Sequence, residues 1–391
     1  MNCLNALGAS ISENADGSLS VVPRKGAREV AQKGAQKGAQ NGTQECAQNE
    51  ALLLCGESGS TLRFMIPVVG ALGENGVFKM EGLLSKRPHA VLTDVLNEHG
   101  MHIWQEDTLL HVGGQLAPGE FSLPGNVSSQ YISGMLFALP ILSGDSVLHV
   151  TGKIESKDYI AITEAEIEKA GIRFTKTVVS DELTDYFVPG NQVYRVPEID
   201  AVESDWSNAA FFFSIGAGSE EGVLIRGLNR ESKQGDKRIL DIVKKFGAEV
   251  TETEEGFFVK KGKLTGTVID AAQIPDLVPT ISVVAAVSEG VTEIIHAERL
   301  RMKESDRLAT TSAMLLSLGA KVTVTEDGLR FEGVEKLHGG QVDASNDHRI
   351  AMAAAVAATF AGGEVEICGA ECVAKSYPKF FEDFTKLEVR K

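Results

Sequence analysis

The sequence predicts an α/β protein built from one repeated unit, and two observations support this fold class. An apolar helix end, a glycine, a strand, an acidic turn and a second strand follow one another five times along the 391 residues. The glycines of these copies are separated by 92, 71, 76 and 72 residues. Periods of this kind are typical of repeat architectures, so we expect one supersecondary unit to recur about every 70 to 75 residues.

The glycine of each copy stands where its helix should end. A left-handed residue just after a helix closes it, and glycine adopts that conformation without a steric penalty. The five positions are Gly8, Gly100, Gly171, Gly247 and Gly319. Short alternating strands follow each glycine, joined by acidic turns such as Asp16 with Gly17, and this pattern predicts five β-hairpins.

The first interval and the two ends depart from this pattern. Residues 31–50 are rich in Gln, Gly and Ala and have no apolar period, which predicts a flexible insertion. Only seven residues precede Gly8, and the last predicted helix, residues 378–387, has no hairpin after it. We therefore expect five hairpins of six units, with the sixth coming from upstream of Met1.

Composition narrows the classes of function. The formal net charge of −16 argues against a general nucleic-acid binder, which would present a basic face. No apolar run approaches the ~18 residues of a membrane span, and the first residues lack the pattern of a secretory signal. Five scattered cysteines suit a reducing compartment. We expect a cytoplasmic protein that binds neither nucleic acid nor membrane.

Two segments of the first half suggest anion binding. Residues 55–64, CGESGSTLRF, follow an apolar strand and open a helix, where backbone N–H groups favour anions; a plain strand-to-helix turn is the other interpretation. In residues 85–92, SKRPHAVL, Pro88 at the first helical position would place Arg87 just ahead of the helix. A solvated basic pair of Lys86 and Arg87 explains the same residues.

A third segment, residues 125–142, carries polar groups at the start of a very apolar helix. Ser128, Ser129 and Gln130 stand together at that start. Hydroxyl and amide groups at a helix N-terminus can bind phosphate or sugar hydroxyls, and a serine can equally be a simple N-cap.

Residues 297–320 hold the densest group of charges. Lys303 and Arg307 are four residues apart, which predicts one helical face, with Glu304 beside them. Pairing with substrate anions and a surface lattice of salt bridges both fit this segment. Earlier in the chain, Asp276 lies among apolar residues, which predicts a carboxylate that exchanges protons or one that caps the helix of residues 278–287.

The last polar segment, residues 345–363, opens a buried Ala-rich helix. Asn346 and Asp347 are natural caps, and Arg349 just after them requires a partner. Lys375 precedes a further helix. The histidines and the Cys368 and Cys372 pair lack the spacing of metal ligands, so we expect no metal and no cofactor.

Taken in order, these segments resemble the EPSP synthase family. The strongest marks are RMKESDRL at residues 301–308, NDHR at residues 346–349 and SSQ at residues 128–130. The resemblance implies a two-lobed enolpyruvyl-transferase-like fold of repeated β-α-β-α-β-β units, three to a lobe, that closes on substrate. It covers nearly the whole chain, with residues 1–204 as the first lobe and 205–391 as the second.

The family's activity is transfer of the enolpyruvyl group of phosphoenolpyruvate to the 5-hydroxyl of shikimate 3-phosphate, with loss of phosphate. The resemblance implies a set of shikimate 3-phosphate ligands: Ser128, Ser129, Gln130, Ser156, Tyr159, Asp276 and Lys303. It likewise implies a set of phosphoenolpyruvate ligands: Gly59, Arg87, Gln130, Arg307, Arg349 and Lys375. Asp276 would be the base at the hydroxyl and Glu304 would transfer a proton at the enolpyruvyl carbon, in a monomer without cofactor or metal.

The chain departs from the family at two places. Glu57 and Ser60 replace the common Asn and Thr of the glycine loop, while Gly59 remains. The family's K-S-x-S-H-R segment has no counterpart in residues 1–391, since Lys25 stands after the first hairpin. From this we expect weak binding of shikimate 3-phosphate and negligible turnover. A transferase acting on a UDP-sugar and an inactive anion-binding scaffold are the alternatives.

Overall fold

The computed structural model describes residues 1–24, 50–195 and 202–387. Residues 31–49 of the expected insertion lie outside this part of the chain. The chain divides into two compact units, Met1–Glu198 and Ile199–Lys391. Among the described residues, no helix has the length and apolar character needed to cross a membrane.

Eleven α-helices occur in the described residues. They are α1 Asn2–Ala6, α2 Gly59–Leu72, α3 Ala90–Glu98, α4 Ser129–Ala138, α5 Lys157–Lys169, α6 Trp206–Gly218, α7 Ile239–Phe246, α8 Val278–Val287, α9 Arg307–Ser317, α10 His348–Ala358 and α11 Phe380–Thr385.

The strands of the first unit are β1 Ser10–Glu13, β2 Leu19–Val22, β3 Ala51–Gly56, β4 Gly76–Met80, β5 Met101–Glu106, β6 Leu109–Gly114, β7 Glu120–Pro124, β8 Ser146–Thr151, β9 Thr175–Ser180 and β10 Leu183–Val188. Those of the second unit are β11 Val223–Arg226, β12 Glu249–Thr253, β13 Gly256–Lys260, β14 Val268–Asp270, β15 Val291–Ile295, β16 Lys321–Val324, β17 Leu329–Glu332, β18 Gly340–Asp343 and β19 Val365–Cys368.

Three four-stranded sheets show the repeated unit in full. Their strand orders are β3-β4-β6-β5, β7-β8-β10-β9 and β14-β15-β17-β16. In each sheet a parallel pair joined through a helix is followed, after a second helix, by an antiparallel hairpin. This is the predicted β-α-β-α-β-β unit. The three-stranded sheet β11-β13-β12, the hairpin β1-β2 and the parallel pair β18-β19 are shorter versions of it among the described residues.

The five predicted helix ends are confirmed. Every one of the predicted glycines has a left-handed backbone, with φ of 94° at Gly8, 92° at Gly100, 81° at Gly171, 108° at Gly247 and 82° at Gly319. The five predicted hairpins are the antiparallel pairs β1-β2, β5-β6, β9-β10, β12-β13 and β16-β17. The sheet pairing therefore follows the period found in the sequence.

Each unit has its own hydrophobic core, made by apolar helices packed inside the sheets. In the first unit α2 and α4 touch at Gly134, where a Cβ atom would lie 2.4 Å from the carbonyl oxygen of Arg63. In the second unit α8 and α10 pack together, and nearly all of their residues are buried. The polar residues at the N-terminal ends of these helices are thus held by the most rigid part of each unit.

The predicted helical position of Pro88 is wrong. Helix α3 begins at Ala90, and His89 is its N-cap residue, so Pro88 lies before the helix. Arg87 ends the short 3₁₀ turn Leu84–Lys86 with an extended backbone, φ −75° and ψ 147°. The ring of a proline disfavours helical geometry in the residue before it, which explains the extended backbone of Arg87.

Candidate active site

The first unit gathers polar groups at the N-terminal ends of α2 and α4. A Cβ atom on Gly59 would lie 3.0 Å from Nη1 of Arg87, and 3.6 Å from both Nη1 of Arg63 and Oε1 of Gln130. These three side chains therefore surround the first turn of α2. Ser58 caps that helix, with its hydroxyl accepting a hydrogen bond from the backbone N–H of Thr61 at 3.2 Å.

Arg63 connects this group to α4. Its Nη1 donates to Oε1 of Gln130 at 2.8 Å, and its guanidinium lies 5.4 Å from the centroid of the Tyr131 ring. The Tyr131 hydroxyl donates to the carbonyl of Pro88 at 2.6 Å. Two helices and the Arg87 turn are joined by these contacts, and they present guanidinium and backbone N–H groups suited to an anion.

The serines predicted to bind substrate lie near the same helix start. Ser128 is the N-cap of α4 and accepts from the backbone N–H of Gln130 at 3.3 Å. Ser129 begins the helix, and both serines are buried. Capping and ligand binding were left open by the sequence, and the capping role of Ser128 is confirmed.

Ser156 has a backbone conformation rare for a residue with a side chain. It is buried, precedes α5, and has φ 53° and ψ 40°, in the left-handed region. Residues held there cost free energy and cluster at functional sites. Its carbonyl accepts from the N–H of Tyr159 at 3.1 Å, which places these two predicted ligands in one turn.

His89 is a buried neighbour of the two arginines. Its Nε2 lies 3.0 Å from the carbonyl oxygen of Leu84. Burial lowers the pKa of His89 to about 4, and the charges of Arg63 and Arg87 act in the same direction. Near neutral pH this imidazole is therefore uncharged.

In the second unit, three cations converge on Asp276. Arg307 Nη1 lies 2.9 Å from Oδ1 of Asp276, Lys303 Nζ lies 3.4 Å from the same oxygen, and Arg349 Nη2 lies 3.4 Å from Oδ2. Leu277, and not Asp276, is the N-cap of α8, and it makes no side-chain capping bond. The capping interpretation of Asp276 is therefore wrong.

The predicted helical face of Lys303 and Arg307 is also wrong. Lys303 has extended geometry, φ −87° and ψ −155°, and α9 begins only at Arg307, after its cap Asp306. The two cations meet through Asp276 and not through helix periodicity. Burial lowers the pKa of Lys303, and the nearby Asp276 carboxylate opposes that effect.

Arg307 is the most deeply buried cation of the group, with a side chain only 1% exposed. Its Nε donates to Oδ2 of Asp347 at 2.8 Å, and its Nη2 donates to Oε2 of Glu304 at 2.6 Å. Burial disfavours the charge, but the Asp347, Glu304 and Asp276 carboxylates prevail and raise the pKa of Arg307. The three carboxylates therefore hold the Arg307 guanidinium in place.

Asp347 supports both arginines. Its carboxylate caps α10 by accepting the N–H of Arg349 at 3.0 Å, and it accepts the hydroxyl of Ser305 at 2.9 Å. Burial acts to raise the pKa of Asp347, but the Arg307 guanidinium overcomes it and holds that pKa near about 2. Burial, Arg349 and Arg307 together lower the pKa of the adjacent His348 to about 4.

Arg349 has the partners that its buried position required. Its Nη1 donates to the carbonyl of Asp276 at 3.2 Å, and its Nη2 donates to the hydroxyl of Ser207 at 3.1 Å. Lys375 Nζ donates to the carbonyl of Asn346 at 2.7 Å. Lys375 therefore reaches the turn that precedes α10.

The predicted residues thus form two groups. The first unit brings together Gly59, Arg87, Ser128, Ser129 and Gln130, with Ser156 and Tyr159 at the start of α5; the second brings together Asp276, Lys303, Glu304, Arg307, Arg349 and Lys375. Four further residues complete these contacts: Arg63, Tyr131, Ser207 and Asp347. The sequence marked Asp347 by its position at a helix start and included Arg63 in the segment of residues 55–64 that opens a helix. Tyr131 and Ser207 carried no signal apart from lying in the first turn of an apolar helix.

Comparison with known proteins points to one family. The family model for EPSP synthase (3-phosphoshikimate 1-carboxyvinyltransferase) matches residues 18–384. A protein of Clostridium acetobutylicum named 3-phosphoshikimate 1-carboxyvinyltransferase is 45% identical over 336 residues, which are 85% of this chain and 77% of that protein. One of the same name from Clostridium perfringens is 44% identical over 344 residues, 87% of this chain and 79% of its own.

Solved structures show the same architecture. An EPSP synthase of Acinetobacter baumannii superposes with a TM-score of 0.74 and 25% sequence identity, covering 98% of this chain and 85% of that one. The repeated β-α-β-α-β-β units accord with this likeness. The chain belongs to the EPSP synthase family.

Proposed function

We propose that this chain transfers the enolpyruvyl group of phosphoenolpyruvate to the 5-hydroxyl of shikimate 3-phosphate and releases phosphate, at the low rate expected for a sequence without the K-S-x-S-H-R segment. Membership of the family and a relative at 45% identity support this reaction. The observation that carries it is the convergence of Lys303, Arg307 and Arg349 on one carboxylate, Asp276. Substrates that bear phosphates and a carboxylate require fixed cations beside a proton acceptor.

Shikimate 3-phosphate is assigned to hydroxyl, amide and ammonium groups. Ser128, Ser129 and Gln130 at the start of α4, and Ser156 and Tyr159 at the start of α5, can donate to phosphate and hydroxyl oxygens. Lys303 supplies a positive charge beside Asp276. Ser128, Ser129 and Ser156 are buried, which favours recognition by directional hydrogen bonds over attraction by exposed charge.

Phosphoenolpyruvate is assigned to guanidinium groups that other side chains hold in place. The ligands proposed for it are Gly59, Arg87, Gln130, Arg307, Arg349 and Lys375. Arginine forks match carboxylate and phosphate oxygens in pairs, and lysine adds a point charge. The bonds that Arg307 donates to Asp347 and that Arg349 donates to Ser207 reduce the entropy lost when an anion binds.

In the proposed reaction Asp276 accepts the proton of the 5-hydroxyl as that oxygen attacks the enolpyruvyl carbon. Glu304 delivers a proton to the neighbouring methylene carbon, which gives a tetrahedral intermediate with a methyl group. As the carbon–oxygen bond to phosphate breaks, Glu304 takes a proton back from that methyl group to re-form the double bond, and the proton held by Asp276 passes to the departing phosphate. The arginines stabilise the negative charge on the phosphate and carboxylate throughout. We propose that the protein acts as a cytoplasmic monomer without a cofactor, and light scattering of the purified chain checks the monomer.

The test measures phosphate release from phosphoenolpyruvate with shikimate 3-phosphate as acceptor and, separately, with UDP-N-acetylglucosamine. Calorimetry of shikimate 3-phosphate binding accompanies it. Asp276→Asn is expected to lower turnover at least ~100-fold, because it removes the base. Asp270→Asn, an exposed carboxylate beside His296 in the same unit, is the matched control and should leave the rate unchanged.

Release that depends on shikimate 3-phosphate supports the proposal. Specific binding of that ligand without turnover supports the assigned ligands and contradicts the activity of this chain. Release with the UDP-sugar alone, or neither binding nor turnover with shikimate 3-phosphate, overturns the proposed function.

A further inference from the structure

The carbonyl oxygen of Pro88 is approached by hydrogen-bond donors from two helices of the first unit. The Tyr131 hydroxyl donates to it at 2.6 Å from the first turn of α4, and Arg63 Nη2 approaches it at 3.5 Å from α2. Pro88 directly follows Arg87, whose guanidinium lies against Gly59. Two helices therefore hold the peptide next to the proposed phosphoenolpyruvate arginine.

The local backbone needs this support. Arg87 is extended, and its N–H donates to the carbonyl of Leu84 at 3.2 Å, a bond that closes only a short 3₁₀ turn. The residues before Arg87 are also held by the N–H of Lys86 on the carbonyl of Leu83 at 3.0 Å and by Nε2 of Gln105 on the carbonyl of Ser85 at 3.0 Å. Proline contributes no N–H of its own, so after Arg87 the side-chain bonds to the Pro88 carbonyl take the place of a backbone bond. The Tyr131 ring is fully buried, and burial raises the pKa of its hydroxyl, which therefore remains protonated and donates.

We infer that Tyr131 is a positioning residue for phosphoenolpyruvate binding, acting through the Pro88 carbonyl to fix the turn that carries Arg87. The inference rests on the proposed function for its ligand. Tyr131 does not contact substrate in this assignment. Its ring packs under Arg63 and its hydroxyl sets the turn, so removing the hydroxyl alone should loosen the turn and leave the core filled.

Tyr131→Phe tests this directly, with Tyr194→Phe as the matched control. The Tyr194 hydroxyl donates to the carbonyl of Phe137 at 2.8 Å, beyond the middle of the same helix, and the residue is 37% exposed. Both variants lose one hydroxyl-to-carbonyl bond. Only Tyr131→Phe is expected to weaken phosphoenolpyruvate binding by about three- to tenfold, measured by calorimetry with shikimate 3-phosphate present and with both variants made in an Asp276→Asn chain, where turnover is suppressed.

A second measurement is independent of substrate. Hydrogen–deuterium exchange over residues 84–93 should be about three- to tenfold faster in Tyr131→Phe and unchanged in Tyr194→Phe. Equal affinities in the two variants, or unchanged exchange in this turn, would overturn the inference. Arg87→Ala separates the two proposals: intact phosphoenolpyruvate binding in that variant contradicts the proposed ligand set, whereas the exchange result still decides the role of Tyr131.

Discussion

Asp347 shows how one side chain can serve two elements at once. It caps α10 through the N–H of Arg349 and forms the ion pair with Arg307, while being completely buried. A buried charge is costly unless it is paired and hydrogen-bonded, and here each partner satisfies the other. The position of both arginines therefore depends on this carboxylate.

We predict that Asp347→Asn lowers the free energy of unfolding by about 3 kcal/mol, because it leaves Arg307 buried with one charge fewer beside it. Asparagine is a good N-cap, so the change removes the charge and not the cap. Urea denaturation at pH 7 measures the loss. Since the pKa of Asp347 is lowered from 3.8 to about 2, its contribution is complete above pH ~4 and disappears as the pH falls through ~2.

Asp306→Asn is the control for this prediction. Asp306 also caps a helix, accepting the N–H of Ala309 at 3.1 Å, and also has an arginine partner, Arg301 at 3.5 Å. That pair is exposed, so its loss should cost less than about 1 kcal/mol. Equal losses in the free energy of unfolding of the two variants would show that burial of the Asp347 ion pair does not increase its contribution to stability.

At this scale the sequence predicted which residues carry charge but not how they meet. It marked Lys303, Glu304 and Arg307 by their density, and Arg349 by its place in a buried helix. It could not foresee the shared contact with Asp276, because a contact across 27 to 73 residues depends on the packing of α8, α9 and α10. The four-residue spacing predicted that Lys303 shares a helical face with Arg307, whereas in the structure the two residues meet through their tertiary contacts with Asp276.

At the scale of elements, the five left-handed glycines end helices in different surroundings. A Cβ atom on Gly8 would lie 3.4 Å from the flexible side chain of Arg24, whereas one on Gly247 would lie 2.1 Å from the backbone oxygen of Lys263. Gly100 is intermediate, with the carbonyl of Gln115 at 2.8 Å. The space next to the helix-ending glycine therefore differs from one copy of the repeat to another.

We predict that alanine at these glycines destabilises in the order Gly247, Gly100, Gly8. Gly8→Ala should cost about 1 kcal/mol, the strain of a left-handed alanine. Gly247→Ala should cost about 3 kcal/mol or more, because the backbone of Lys263 must also move. Urea denaturation of the three variants measures the order. Equal losses in the free energy of unfolding would contradict the prediction, because they would mean that the neighbouring backbone can move without an energetic cost.

Elements were the best predicted part of the fold, for a physical reason. The helix-ending glycine and the acidic turn act within a few residues, so a local pattern is enough to find them. Pro88 was predicted to be the first residue of the helix but lies in the loop before it. Both positions suit a proline, so the sequence pattern does not distinguish them. His89, which gave no signal of its own, is the residue that begins the helix.

At the scale of the whole molecule, each unit contains one of the two tryptophans. Trp104 lies on β5 of the first unit and is 46% exposed, whereas Trp206 begins α6 of the second and is fully buried. The two core clusters are separate in their residues. Fluorescence can therefore follow each unit by itself.

We predict that the two units unfold in separate transitions. Asp347→Asn in a Trp104→Phe chain should lower the urea midpoint reported by Trp206. The same substitution in a Trp206→Phe chain should leave the Trp104 midpoint unchanged, because the altered ion pair lies in the other unit. Equal shifts of both signals would show one cooperative transition and contradict the prediction.

The hairpins of the repeated unit also offer practical sites for protein engineering. The turns at Asp181 with Glu182 and at Glu254 with Glu255 are exposed, and each joins two strands whose register is set by the rest of its sheet. Exposed turns tolerate added residues far better than element interiors do. An epitope or fluorophore tag inserted at either turn would report on its own unit while leaving the helix starts that carry the charged groups untouched.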